Sequence, residues 1–168
     1  MSASTPSDKR LADDLLAERL QAQEERLVFA AFTHDDAWTL GSLLVDLARE
    51  RDLPVAIDIR RGDQQLFHHA RPGTVPDNAT WIDRKVNVVR RFGHSSLLIG
   101  QRHRDRGTTF EDATGLPRDT YAAHGGAFPI TVPGAGIIGT VTVSGLPQVD
   151  DHNLVVEALE RFLGDNTD

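Results

Sequence analysis

The stretch Ala122–Pro147, AAHGGAFPITVPGAGIIGTVTVSGLP, decides the fold. It carries six of the chain's 14 glycines, interleaved with two apolar runs. Phe128 to Val132 and Gly136 to Val143 read as two short strands joined by a turn at Pro133-Gly134-Ala135-Gly136. Glycine permits φ > 0 and lets another backbone or a ligand approach closely. The second run, Ile137 to Val143, mixes continuous apolarity with alternation. That pattern suits a central strand covered by helix on at least one face.

Upstream, residues 1 to 7 are small and polar and read as a tail, with one domain over 8–165. A helix from about Asp8 to Glu25 places Leu11, Leu15, Leu16 and Leu20 on one stripe. Leu27 to Phe32 reads as a short strand. Thr33 caps a second helix with Asp35 and Asp36 in its first turn and Ala37, Leu40, Leu43, Leu44 and Leu47 inward. Val55 to Arg61 and Gln64 to His69 form a hairpin about Gly62-Asp63. Asp77 or Asn78 opens a helix lined by Ile82, Val86, Val89 and Phe92, and Ser95 or Ser96 caps a shorter one. Thr108 to Tyr121 reads as an irregular loop. After the glycine-rich hairpin, Asp150 or Asp151 caps a final helix with Leu154, Val155, Ala158, Leu159, Phe162 and Leu163 on its buried stripe. Hairpins with helices before, between and after them point to an α+β domain with a mostly antiparallel sheet. More helical stripes exist than short strands can cover, which points to self-association.

The composition excludes several classes. With no run of about 18 apolar residues, a membrane-spanning helix is not expected, and the N-terminus lacks the apolar centre of a signal peptide. The chain has no cysteine, so disulfides, thiolate metal sites and cysteine nucleophiles are absent. A cytoplasmic location is expected. The net charge of -7 argues against nonspecific nucleic-acid binding. One basic segment stands out against it: Arg84, Lys85, Arg90, Arg91, Arg102, Arg104 and Arg106, with Asp105 the single acid among them. It reads either as a solvated helix face or as a patch for an anion or an acidic subunit.

Motifs then suggest a family. His124-Gly125-Gly126-Ala127-Phe128-Pro129-Ile130, the strand end Val143-Ser144-Gly145, and Gln148 with Asp150 resemble the GlcG/HbpS-like family, also called the haem-degrading domain family. The family's GG-x-P-I element has one extra residue here, because Ala127 and Phe128 both precede Pro129. Arg84-Lys85 leading to Phe92 and Ser95, and the hairpin from Ala56 to Phe67, are similar as well. The likeness covers Leu27 to Leu163 and is greatest to an uncharacterised cytoplasmic branch. It implies a profilin-like sandwich, with a five-stranded antiparallel sheet flanked by helices, in a homo-oligomer. It also implies haem as a candidate ligand.

Haem needs an axial ligand, an apolar slot and cations for its propionates. His68, His69, His94 and His124 are the candidate ligands, and adjacency on a strand sends His68 and His69 to opposite faces. His124 precedes two glycines, Gly125 and Gly126, that would admit a flat ligand, and His94 lies at a helix break. Arg60, Arg61, Arg84 and Lys85 are candidate anion binders, with Trp81 as a wall. Intersubunit salt bridges are the rival role for these cations. His34-Asp35-Asp36 and Asp150-Asp151-His152 lack metal-site spacing and read as caps. Ser144 sits in no G-x-S-x-G frame, since Thr142 replaces the first glycine. No residue is assigned as catalytic. Three functions follow: an oligomer binding a small anionic ligand such as haem, a haem-degrading enzyme, or an adaptor oligomer that binds protein partners.

Overall fold

Along β4 (Gly136–Ser144), Val141 and Val143 enter the main core while Thr140, Thr142 and Ser144 take the opposite side, as period-two geometry requires. The computed structural model describes residues 6–165. In it β4 is central in a four-stranded sheet of order β2-β1-β4-β3, antiparallel throughout. Its neighbours are β1 (Ala56–Arg61) and β3 (Ala127–Val132), and β2 (Gln64–Ala70) is the edge strand beyond β1. The turn between β3 and β4 is closed by the Ala135 N–H donating to Val132 O at 3.0 Å.

The register sets Ile57 against Val143 and Ile59 against Val141. These four side chains form an apolar face with Phe128 and Ile130. Against it pack α2 (His34–Glu50), through Ala37, Leu40, Leu44 and Leu47, and α6 (Gln148–Asp165), through Val155, Ala158, Leu159 and Phe162. On the other face, α3 (Pro76–Phe92) sets Ile82 and Val86 over Ala56. The short α4 (Ser96–Asp105) follows α3, and α1 (Pro6–Arg26) packs on it, Leu20 meeting Leu97 and Leu98. The result is a helix–sheet–helix sandwich.

Several expectations are corrected. The sheet has four strands and not five, because Leu27–Phe32 is irregular chain, bent at Leu27 and Ala30, and forms no strand. Its buried residues Leu27, Phe29 and Phe32 are spaced by two and then three, which breaks the alternation a ladder needs. Among the described residues, one backbone bond ties it to β3, Phe29 N–H to Thr131 O at 2.9 Å. Residues 1–5 of the expected tail lie outside the described residues, and α1 starts at Pro6 rather than Asp8. The side chain of Leu11 is also outside them. Leu15 is 52% exposed, so the α1 stripe narrows to Leu16 and Leu20. Thr108–Tyr121 contains a short helix, α5 (Phe110–Thr114), capped by Thr109.

Helix starts are partly as expected. Thr33 and Asp36 form a reciprocal cap, with 3.0 Å from the Asp36 N–H to Thr33 Oγ1 and 2.8 Å from the Thr33 N–H to Asp36 Oδ2. For α3, Pro76 takes the first turn and Val75 the cap position, and Asn78 accepts the Val75 N–H at 2.8 Å. Asp150 and Asp151 lie inside α6, which starts at Gln148. Neither is its cap.

Candidate functional site

Asn78, Trp81 and Lys85 recur at i, i+3 and i+7 on α3 and therefore share one helix face. That face borders a cleft of about 270 Å³, closed by His124, the β4 end at Ser144, and Gln148 and Asp151 of α6. The loop carrying His124 is pinned from two sides. The Ala122 N–H donates to Arg84 O at 3.1 Å, and the Gly125 N–H donates to Gln148 Oε1 at 3.1 Å.

Gly125 and Gly126 have a different role from the one expected. A Cβ at Gly125 would collide with Gln148 O, and one at Gly126, where φ is +141°, would collide with Val143 O. Both glycines are buried, and they let the loop press against α6 and β4. They hold His124 in place and do not open a slot for a flat ligand.

At the floor of the cleft, Lys85 Nζ donates to Asp151 Oδ2 at 3.1 Å and to Val143 O at 3.2 Å. Both side chains of this ion pair are almost fully enclosed. Asp151 also accepts the N–H groups of Leu146 at 2.9 Å and Gly145 at 3.4 Å. Burial holds the Lys85 ammonium below the ordinary lysine range, and the Asp151 charge opposes that shift. Burial likewise lifts the Asp151 carboxyl, opposed by Lys85 and the backbone donors. Each partner is displaced toward its neutral form.

His124 stands at the mouth, its ring edge-on to Trp81 with centroids 5.4 Å apart. It also lines a second cleft of about 170 Å³ with Arg104, Phe110 and Glu111. Desolvation on its packed side, then the charge of Lys85, hold its pKa below the ordinary 6.5; Arg84 and Arg104 add to this and Glu111 opposes it. The imidazole is therefore neutral at pH 7. The Arg84 guanidinium lies 4.2 Å above the Trp81 ring, and its Nε is buried with no hydrogen-bond partner among the described residues. A shielded donor left without a partner is uncommon and costly, which singles out Arg84 among the cations near the cleft.

Of the residues singled out in the sequence, the fold thus brings His124, Trp81 and Lys85 to the cleft, with Gly125 and Gly126 behind them and Arg84 beside it, stacked on Trp81 but outside the lining. His94 and Arg60 do not line the cleft. His94 Nδ1 is 2.7 Å from Glu24 Oε2, joining α1 to the α3–α4 turn. Arg60 is held by Asp58 at 2.8 Å and Asp83 at 2.6 Å. His68 faces Asp58 at 3.3 Å on the β1–β2 hairpin. The basic segment is divided as well: Arg90 donates to Gly62 O, Arg91 to Tyr121 at 3.2 Å and Arg102 to Gln21 at 3.0 Å. Asn78, Ser144, Gln148 and Asp151 complete the cleft, and sequence reasoning placed none of them there. One signal for the buried pair was available: of 18 lysines and arginines, only Lys9 and Lys85 are lysine.

Fold and cleft together define an α+β sandwich with a donor-rich pocket where β4 meets α3 and α6. The chain belongs to the HbpS-like family of haem degrading proteins, whose model matches residues 32–160. A UPF0303 protein of Streptomyces coelicolor is 66% identical over 146 residues, spanning 87% of this chain and 92% of that protein. The crystal structure of the Ybr137w protein superposes with a TM-score of 0.85 at 33% identity, over 96% of this chain and 98% of that one. The PduOC–haem complex superposes at 0.65 over 77% of this chain and 93% of that one; at 15% identity it shares the fold alone. Among the described residues no helix is long and apolar enough to cross a membrane.

Proposed function

We propose that the chain binds a small planar anion at the His124 cleft, haem being the first candidate, in a cytoplasmic homo-oligomer. The observation that carries this reading is the buried, unbonded Nε of Arg84, stacked on Trp81 beside a neutral histidine. Bound haem supplies an iron that takes a neutral imidazole nitrogen. His124 fits that requirement and Trp81 with Leu146 gives an apolar wall; Arg84, stacked on Trp81 beside the cleft, fits a propionate. The haem-bound relative and the family assignment support the choice of ligand.

The fit is to one side of a haem. At about 270 Å³ the cleft falls short of the roughly 300–1,000 Å³ that encloses a ligand of drug size. A second copy covering the open side would complete it. Self-association is supported by the edge strand β2, whose sequence QQLFHHA has no formal charge with its histidines neutral, and by Trp38, which is 69% exposed and edge-on to Phe67. The same surface favours the second reading, an adaptor that holds a protein partner.

Hemin titration followed by visible absorption tests the ligand. A saturable Soret shift in the submicromolar range, about -8 kcal/mol or stronger, is expected, with His124→Ala weakening it at least about tenfold. A weak unsaturable shift, or unchanged affinity in His124→Ala, overturns the assignment.

A further inference from the structure

We infer that Lys85 is a carbonyl-trapping amine, and that the cleft takes a small aldehyde or ketone carrying an anionic group, held as an imine on Nζ. The inference goes beyond the haem reading. It uses the floor of the cleft, and it needs neither His124 nor an iron.

The first argument is residue choice. The chain uses arginine almost everywhere a cation is wanted; of 18 lysines and arginines only Lys9 and Lys85 are lysine. Guanidinium makes the better buried ion pair, because it is less strongly hydrated and can bond two carboxylate oxygens at once. An amine can lose its proton and attack carbon; a guanidinium cannot. Yet the lysine is the cation placed in the enclosed pair with Asp151.

The second argument is geometry. Nζ lies 3.1 Å from Asp151 Oδ2, within proton-transfer reach, and the residue borders the cleft while its side chain is otherwise covered. Gly126 keeps the amine free of crowding, since a Cβ there would stand 2.7 Å from Nζ. Trp81 supplies a flat wall beside it, and Arg84, stacked on that ring beside the cleft, supplies a cation for the ligand's anionic end. Burial favours the neutral forms of both Lys85 and Asp151, the state in which the amine is nucleophilic.

The step balances without a further reactant. The ammonium proton passes to Asp151, and the nitrogen lone pair forms a bond to the carbonyl carbon as the C=O π bond breaks; one N–H proton then moves to the oxygen, giving a neutral carbinolamine. Asp151 returns its proton to the carbinolamine hydroxyl, the C–O bond breaks, and water leaves. A protonated imine and the Asp151 carboxylate remain.

Pyridoxal phosphate is the probe, with borohydride to reduce the imine and peptide mass spectrometry to map it on the full chain. Saturable incorporation at Lys85 is expected, with Lys9 labelled only in proportion to reagent, and Lys85→Arg removes the saturable label. Arg84→Gln keeps the amine. It is expected to raise half-saturation about tenfold for pyridoxal phosphate and leave pyridoxal unaffected, as the loss of one charge-assisted contact predicts. Label on Lys9 but not Lys85 overturns the inference. So does labelling of Lys85 no faster in the folded chain than in urea. Hemin titration tests the haem reading and borohydride trapping on the natural chain tests this one, so failure of the haem reading and failure of this one are separable.

Discussion

Replacing Asp151 by alanine is expected to destabilise the fold by about 3–5 kcal/mol, the usual consequence of leaving one member of a buried ion pair alone. The Lys85 ammonium would keep only Val143 O, and the N–H groups of Gly145 and Leu146 would lose their acceptor. The turn from β4 into α6 rests on those bonds, so the loss includes more than one charge. By contrast, the surface pair Arg26–Glu160, with side chains 58% and 47% exposed, belongs to the class that contributes about 0–1 kcal/mol. Urea denaturation of Asp151→Ala and Glu160→Ala compares them directly. The double change Lys85→Met with Asp151→Leu is expected to recover most of the loss, because apolar side chains of similar size often replace a buried pair at little cost. A loss under about 1 kcal/mol in Asp151→Ala would show that the pair is solvated in solution.

Acid is expected to weaken the fold through His152, by about 3 kcal/mol once the pH is below 4. Burial depresses this histidine from 6.5 to about 4. Its Nε2 is 2.8 Å from Gln23 Oε1, while its Nδ1 has no partner among the described residues. A depressed pKa means that the unfolded chain takes up a proton the folded chain refuses. The contribution is therefore complete above pH 6.5 and is lost as the pH falls from there toward 4. Asp151 acts in the opposite sense: its carboxyl is raised above 3.8, so the folded chain binds that proton first and gains on acidification. His152→Gln isolates the histidine. Stability measured in urea between pH 7 and pH 4 should fall less steeply in this variant than in the natural chain, and parallel curves would refute the assignment.

Local patterns made much of this fold legible. The β3–β4 hairpin could be read because alternation and a Pro-Gly turn are properties of adjacent residues, and Thr33 with Asp36 could be read as a helix start for the same reason. Leu27–Phe32 shows the limit. A short apolar run is compatible with a strand, but whether it pairs depends on the edge it meets, and here that edge offers one bond. Asp151 shows it again. Its position in sequence suggests a cap, yet its partner Lys85 comes from another helix 66 residues away, and nothing local encodes that meeting.

By itself, then, the sequence determined the α+β class, the central hairpin, the buried stripes of α2 and α6, and a family likeness carried by His124-Gly125-Gly126. These depend on periodicity and turn chemistry, which act over a few residues. The tertiary structure alone decided that the sheet stops at four strands and that the two glycines clear space for backbone. It also decided that Arg84 keeps an unbonded donor while Arg60, Arg90 and His94 are consumed by partners. Which cation stays available depends on which acids and carbonyls the packing brings near it, and packing joins residues far apart in the chain.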